Sequence, residues 1–469
     1  MLFNSLDFIA FFAAFYGLYL LLPHRGQNIL LLVGSYVFYA SWNWRFLGLL
    51  VLSTVVDFVL ANLIDATNGP RRRKALLCCS MCVSLGVLGF FKYFNFFVGS
   101  LAVLLGKFGW HVEAAHLAVI LPWGISFYTF QTMNYTIDVY RRHLKPAQSL
   151  IDFAVFVSFF PHLVAGPIMR ATALLPQVLE PRVITRERIR EGAWLVLFGL
   201  FKKMVIADNL AEIADRIFSA AHPSPLMTLA GVYAFAFQIY GDFSGYSDIA
   251  RGISKFMGFE LMINFNNPYF ATNPADFWRR WHISLSTWLR DYLYIPLGGN
   301  RKGAARTYVN LATTMLLGGL WHGAAWTYVF WGAYQGLLLI VHRLFTGETR
   351  REKVGAGWPR IWRTVVMFHA VCIGWLLFRA RSMGQVGEML ASFVRGPWHL
   401  GRQTASDFAA IALLILPLLL VQLLQESAGD LAAPLRLSLL PRAAMFSLLM
   451  LLIVCIGNTG SRAFIYFQF

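Results

Sequence analysis

Ala409-Ala-Ile-Ala-Leu-Leu-Ile-Leu-Pro-Leu-Leu-Leu-Val-Gln-Leu-Leu424, followed by Ala443-Ala-Met-Phe-Ser-Leu-Leu-Met-Leu-Leu-Ile-Val-Cys-Ile456, decides the fold. Both are near-continuous apolar runs and lack the in/out alternation that a membrane barrel strand requires. A helix needs about 20 such residues, rising about 1.5 Å each, to cross about 30 Å of hydrocarbon. Similar runs recur along the chain near 5–22, 29–42, 46–64, 76–105, 117–139, 150–165, 193–210, 226–250, 307–341 as a pair, and 361–379. The composition agrees. Of 469 residues 58% are apolar and 13% charged, against about 25% charged in an ordinary soluble domain. Mean hydropathy is +0.57. The reading is an all-α polytopic membrane protein of about 11–13 transmembrane helices, one membrane domain over 1–469, which excludes a soluble enzyme carried on a tail anchor.

The net charge of +17, from 40 Lys and Arg against 23 Asp and Glu, lies in loops between the apolar runs. The basic stretches are Arg71–Lys74, Arg141-Arg142, Arg182 to Arg190, Arg279 to Arg306 and Arg343 to Arg363. Placing them all in the cytoplasm puts the N-terminus outside. Basic residues scattered in this way make no separate nucleic-acid-binding domain. The five cysteines sit in apolar runs, and their one C-x-x-C spacing, Cys79 to Cys82, has no second pair and no histidine at metal-site spacing, so neither a disulfide framework nor a metal site is expected. The first residues, MLFNSLDFIAFF, lack a basic n-region and a cleavage site, so the first run is expected to remain as a span.

Two segments, 170–192 and 274–303, are too polar to span and read as interfacial. In the second, Asn273-Pro274-Ala275-Asp276 supplies helix-start chemistry. Winding 278–292 as one helix puts Trp278, Trp281, Leu285, Trp288, Leu289 and Tyr292 on one face. Arg279, Arg280, Thr287, Arg290 and Asp291 then fall opposite, with His282 at the edge of the aromatic face. A helix lying in the interface fits this pattern.

Ionisable groups inside apolar runs are costly and therefore candidates for function. Lys202 and Lys203 read as snorkelling from a helix end, and Asp57 as lying near a loop end. His322 stands apart, in Leu316-Leu-Gly-Gly-Leu-Trp-His-Gly-Ala-Ala-Trp326, where glycines let another backbone or a ligand come close. An imidazole there can act as a general base near neutral pH or serve as a packing residue. Gly241-Asp242-Phe243-Ser244-Gly245-Tyr246-Ser247-Asp248 reads as a polar interruption of an apolar segment, lining a pocket or packing tightly against another helix. HxxxxD, GxSxG, Walker A, HExxH and GxGxxG are absent.

Five motifs in order, Pro122–Gln131, Phe160–Pro167, Asp242–Asp248, Phe277–Ser286 and Gly319–Gly323, together resemble the membrane-bound O-acyltransferases. The closing Phe464–Phe469 resembles their bacterial alginate O-acetyltransferase-like branch. That resemblance implies helices around a central funnel, a catalytic region over 240–335, and His322 and His282 as the motif histidines, with His322 the essential one. It also implies acetyl-CoA as a cytoplasmic donor, no bound cofactor, and a bacterial inner-membrane location, for which the outside, and with it the N-terminus, is the periplasmic side. The implied partners are a periplasmic SGNH-type acetyltransferase and the machinery that makes and exports a polysaccharide such as alginate or cellulose. On this reading Arg279, Arg280, Arg290, Arg301 and Lys302 meet the phosphates of CoA. Trp278, Trp281 and Trp321 line the approach, and Asp242 and Ser244 belong to the pocket wall. D-alanyl transfer and lipid or peptidoglycan acylation remain open within the same family. A proton-coupled transporter is the competing class and would carry paired inverted repeats; none is visible.

Overall fold

The computed structural model describes residues 1–111, 117–347, 357–458, 460 and 462–465. Residues 466–469 of the closing motif, and part of the Arg343–Arg363 basic stretch, lie outside them. Among the described residues every regular element is a helix, as expected of a backbone that must satisfy its own hydrogen bonds in lipid. Five helical stretches among the described residues are long and apolar enough to cross a membrane: His24–Ala66, Pro70–Lys107, Trp358–Arg379, Arg402–Ala428 and Leu439–Ile456. The chain divides into two compact units, Met1–Ile189 with Ile253–Met262, and Arg190–Gly252 with Ile263–Phe469.

The first unit contains α1 (Leu6–Leu21), α2 (His24–Asn43), α3 (Leu47–Ala66), α4 (Pro70–Leu88), α5 (Phe94–Lys107), α6 (Ile125–Tyr140), α7 (Leu150–Ser158), α8 (Phe160–Leu163) and α9 (Ala171–Leu179). α6 is too polar to pass as a span by composition because it buries Gln131, Asn134 and Asp138. Each polar group has work to do. Asn134 donates to the Met169 carbonyl at 3.0 Å and accepts from the Ala171 N–H at 3.1 Å, which settles the start of α9. Gln131 holds His162 at 2.8 Å. Asp57 is not near a loop end: it lies inside α3, 1% exposed, and accepts the Ser80 hydroxyl at 2.6 Å.

The second unit is built from α10 (Arg186–Leu200), α11 (Asp208–Phe218), α12 (Pro225–Phe256), α13 (Pro274–Arg280), α14 (Ile283–Leu289), α15 (Gly303–His322), α16 (Trp326–Thr346), α17 (Trp358–Arg379), α18 (Met383–Arg395), α19 (Arg402–Ala428), α20 (Ala433–Arg436) and α21 (Leu439–Ile456). The expected interruption at 241–248 is absent, since α12 runs unbroken through it. Its glycines serve close packing instead. A methyl on Gly245 would stand 2.8 Å from the Gly199 carbonyl oxygen, and one on Gly252 would stand 2.6 Å from that of Gly192. Small residues at a helix crossing let the two backbones touch.

Lys202 and Lys203 do not snorkel. They sit in the π-wound stretch 201–207 between α10 and α11, both buried. Lys202 pairs with Asp248 at 2.6 Å, and Lys203 with Asp208 at 2.8 Å and Asp242 at 2.7 Å. Burial of this many charges is tolerable only because acids and bases meet directly. Asp242 also accepts the Ile465 N–H at 2.6 Å, Lys203 donates to the Arg462 carbonyl at 3.3 Å, and Arg462 pairs with Asp215 at 2.9 Å. Phe464 packs on Tyr246, ring centroids 5.1 Å apart. Residues 462–465 are thereby pinned to α12.

Two stability predictions result. Gly245→Ala should lower the melting temperature of the detergent-purified protein, because the clash is with backbone and not with a movable side chain; an unchanged melting temperature would contradict the packing. Lys203→Met leaves two buried carboxylates without their cation and should cost about 3–5 kcal/mol. Adding Asp208→Asn and Asp242→Asn to Lys203→Met should recover part of that loss in the same melting assay.

Candidate active site

His322 is delivered by a helical hairpin. α15 and α16 lie against each other with glycine facing glycine: a methyl on Gly319 would stand 3.0 Å from the Gly332 Cα, and one on Gly323 would run into the Tyr328 ring. At Gly319 another backbone comes close, and at Gly323 an aromatic ring does. His322 ends α15 and is 3% exposed. Its ring meets Trp331 at 5.0 Å, Trp321 at 5.1 Å and Phe378 at 5.4 Å between centroids.

His282 is delivered by a break. The single helix expected over 278–292 stops at Arg280 and restarts at Ile283, so His282 does not lie at the edge of a helical aromatic face. The start is as expected, with the Asn273 side chain accepting from the Asp276 N–H at 2.8 Å. What ends α13 is the non-helical segment 263–266, which offers competing hydrogen bonds. Asn266 N–H donates to the Arg280 carbonyl and Ile283 N–H to the Asn264 carbonyl, both at 2.9 Å. The Asn264 side-chain oxygen accepts from Ser284 N–H at 3.2 Å and from its hydroxyl at 2.8 Å. These bonds hold His282 at φ 42, ψ 53. Histidine tolerates this left-handed region better than most residues, at a cost of about 1–3 kcal/mol.

The break brings the two histidines together. His282 is fully buried, edge-on to Phe243 at 4.6 Å, and its ring centroid lies 6.2 Å from that of His322. Trp321 borders both rings, 5.9 Å from His282. At this spacing one small polar group can be hydrogen bonded by both imidazoles.

The other candidates divide by surroundings. Trp278 is half-buried and packs on Trp331 at 5.9 Å. Trp281 is buried among Trp375 at 4.8 Å and Phe265 at 5.0 Å. Arg280 is committed to the fold, pairing with Asp276 at 3.2 Å and Glu426 at 2.9 Å, the latter shared with Arg360 at 2.5 Å. Arg279 and Arg290 are exposed, beside Asp276 at 3.8 Å and Asp291 at 2.7 Å respectively. Arg301 and Lys302 are exposed at the start of α15. Asp242 holds Lys203 and the Ile465 N–H, and the buried Ser244 sits one turn from Tyr240 on α12. Asn264 and Trp331 fall in the expected catalytic region 240–335 but in no motif, and Phe378 lies outside that region. Asn264 lies outside every quoted run, and aromatic residues are too common in this chain to mark two of them.

Residues 106–378 match the model of the membrane-bound O-acyltransferase family. The probable alginate O-acetylase AlgI of Azotobacter vinelandii is 45% identical over 85% of this chain and 79% of its own length. The peptidoglycan O-acetyltransferase of Helicobacter pylori is 37% identical over 84% of this chain and 80% of its own. The teichoic acid D-alanyltransferase of Bacillus subtilis is 29% identical over 55% and 68%. The family match falls across the hairpin, the break and the helices that carry both histidines. The chain belongs to the membrane-bound O-acyltransferase family and is a multi-pass membrane enzyme that transfers an acyl group to oxygen.

Proposed function

We propose that the group transferred is acetyl, taken from acetyl-CoA on the cytoplasmic side of the inner membrane, with the N-terminus periplasmic. The acetyl is handed to a periplasmic SGNH-type acetyltransferase for O-acetylation of an exported polysaccharide, alginate or cellulose. The observation that carries the chemistry is the pair of buried imidazoles 6.2 Å apart inside a ring of aromatic side chains. The 45% identity to a probable alginate O-acetylase supports the choice of acetyl and of a polysaccharide.

His322 acts as general base. It takes the proton of the acceptor hydroxyl as the oxygen forms a bond to the thioester carbonyl carbon. The carbon–sulfur bond then breaks, and the proton passes from His322 to the leaving CoA thiolate, so that base and acid are regenerated together. His282 orients the thioester and hydrogen bonds the oxygen that gains charge. Trp278, Trp281 and Trp321 keep the path apolar for the pantetheine arm. Arg279, Arg290, Arg301 and Lys302, all exposed, meet the CoA phosphates, and Arg280 holds the segment in place.

A second reading has support of its own. The 37% identity to a peptidoglycan O-acetyltransferase, spread over most of the chain, favours the same chemistry with peptidoglycan as the final acceptor. Measuring ester-linked acetate on purified exopolysaccharide and on muropeptides from the same cells separates the two.

His322→Gln, at normal protein level, should reduce polymer acetylation by about 10²–10⁴, the usual worth of general acid–base catalysis; retained acetylation would overturn the role. Arg279→Glu should raise the KM for acetyl-CoA several-fold in purified protein with kcat little changed. An unchanged donor dependence would remove Arg279 from phosphate binding.

A further inference from the structure

We propose that Asn264 is a positioning residue: through Ser284 it keeps the proton of neutral His282 on Nδ1 and leaves the free electron pair on Nε2, the nitrogen that then serves acyl transfer. The last clause rests on the placement of His282 in the reaction given above; the tautomer itself does not.

The deduction starts from a group that has no choice. A backbone N–H only donates, so the Asn264 atom 3.2 Å from Ser284 N–H is the amide oxygen. Its amide nitrogen accordingly turns to the Ser247 hydroxyl, at 3.2 Å. The Ser284 hydroxyl lies 2.8 Å from the same amide oxygen, which only accepts, so the single hydroxyl proton is committed there. What Ser284 Oγ presents to His282 Nδ1, at 3.4 Å, is a lone pair. Nδ1 must then be the donor, and a neutral imidazole with its proton on Nδ1 has its basic nitrogen at Nε2.

Burial makes the arrangement selective. Ser247 and Asn264 are 1% exposed, and Ser284 and His282 are fully buried, so water does not offer the ring an alternative partner. The network also ties the chemistry to the fold. The same Asn264 whose carbonyl helps break the helix at His282 sets the ring's proton, and Ser247 anchors Asn264 to α12. Any change that frees the Asn264 amide would relax both.

The test uses the full-length protein in lipid nanodiscs, with 15N-labelled histidine rings read by solid-state NMR and acyl-transfer kinetics measured alongside. His282→Gln identifies the His282 signals by their loss. The expected result is a protonated Nδ1 and an unprotonated Nε2 in the natural protein. Ser284→Ala and Asn264→Ala should each give mixed tautomers and lower kcat about tenfold, a part of what general acid–base catalysis contributes, with the KM for the acyl donor unchanged. Asn264→Asp, which keeps an acceptor oxygen, should retain the tautomer. Ser284→Ala leaves the Ser284 N–H bond to Asn264 in place and carries the test if Asn264→Ala fails to fold. A His282 protonated on Nε2, or an unchanged tautomer in Ser284→Ala, would overturn the assignment. Full activity in His282→Gln would instead overturn the role of His282 in the reaction while leaving its tautomer as measured, so the two failures are distinguishable.

Discussion

A backbone that leaves the helical path where water is excluded must find new partners for its N–H and C=O groups, and each one left unmade costs about 1–3 kcal/mol. For the Arg280 carbonyl and the amides of Ile283 and Ser284 those partners come from the segment 263–266, by way of Asn266 and Asn264. The rest of the site depends on this exchange. It turns Trp281 into the aromatic cluster around Trp375, turns His282 toward Phe243 and His322, and leaves Arg280 facing Glu426. A continuous helix over the same residues would place the two side chains 281 and 282 about 100° apart on one cylinder and could not bury both in this way.

The same unit brings backbones together twice by omitting side chains. α10 meets α12 at Gly199 and Gly245, and α15 meets α16 at Gly319 and Gly332. Without a strong hydrophobic force between helices in lipid, close packing and polar contacts hold them. The polar contacts here are buried ion pairs: Lys202 with Asp248, and Lys203 with Asp208 and Asp242. Such pairs contribute little net stability, but removing one partner is costly, so they specify which surfaces meet. The segment 462–465 is included, because Lys203 also bonds the backbone of residue 462 and Asp242 that of residue 465.

Much of this was legible beforehand. Long apolar runs announced helices in a membrane, because nothing else accounts for Ala443–Ile456, a helix with only Leu449 buried. Five motifs in order identified the family, and two of them contain His282 and His322. The local conformations were less legible. Periodicity treats 278–292 as one helix since it cannot see that Asn264 competes for the amides of 283 and 284 from a distant part of the chain. Glycines in 241–248 read equally as a break or as a packing stripe, and only the Lys202 and Gly199 carbonyls opposite them decide. Lys202 and Lys203 looked like snorkelling residues because their acids, Asp242 and Asp248, lie on another helix.

The surplus of positive charge can now be divided. Arg280 and Arg360 close on the single carboxylate of Glu426, which links α13 to α17 and α19 and makes part of the +17 structural. Arg279 and Arg290 stay at the surface, where attraction for an anion is screened beyond about 8–10 Å at physiological salt. They can dock a phosphate but exert little pull on a reaction several side chains away. The two histidines sit among Trp321, Trp331, Phe243 and Phe378 with almost no exposure. A thioester held there meets two imidazoles and little water. On the proposed chemistry, that separation lets the donor be recognised by charge outside while the acyl group is kept from hydrolysis inside.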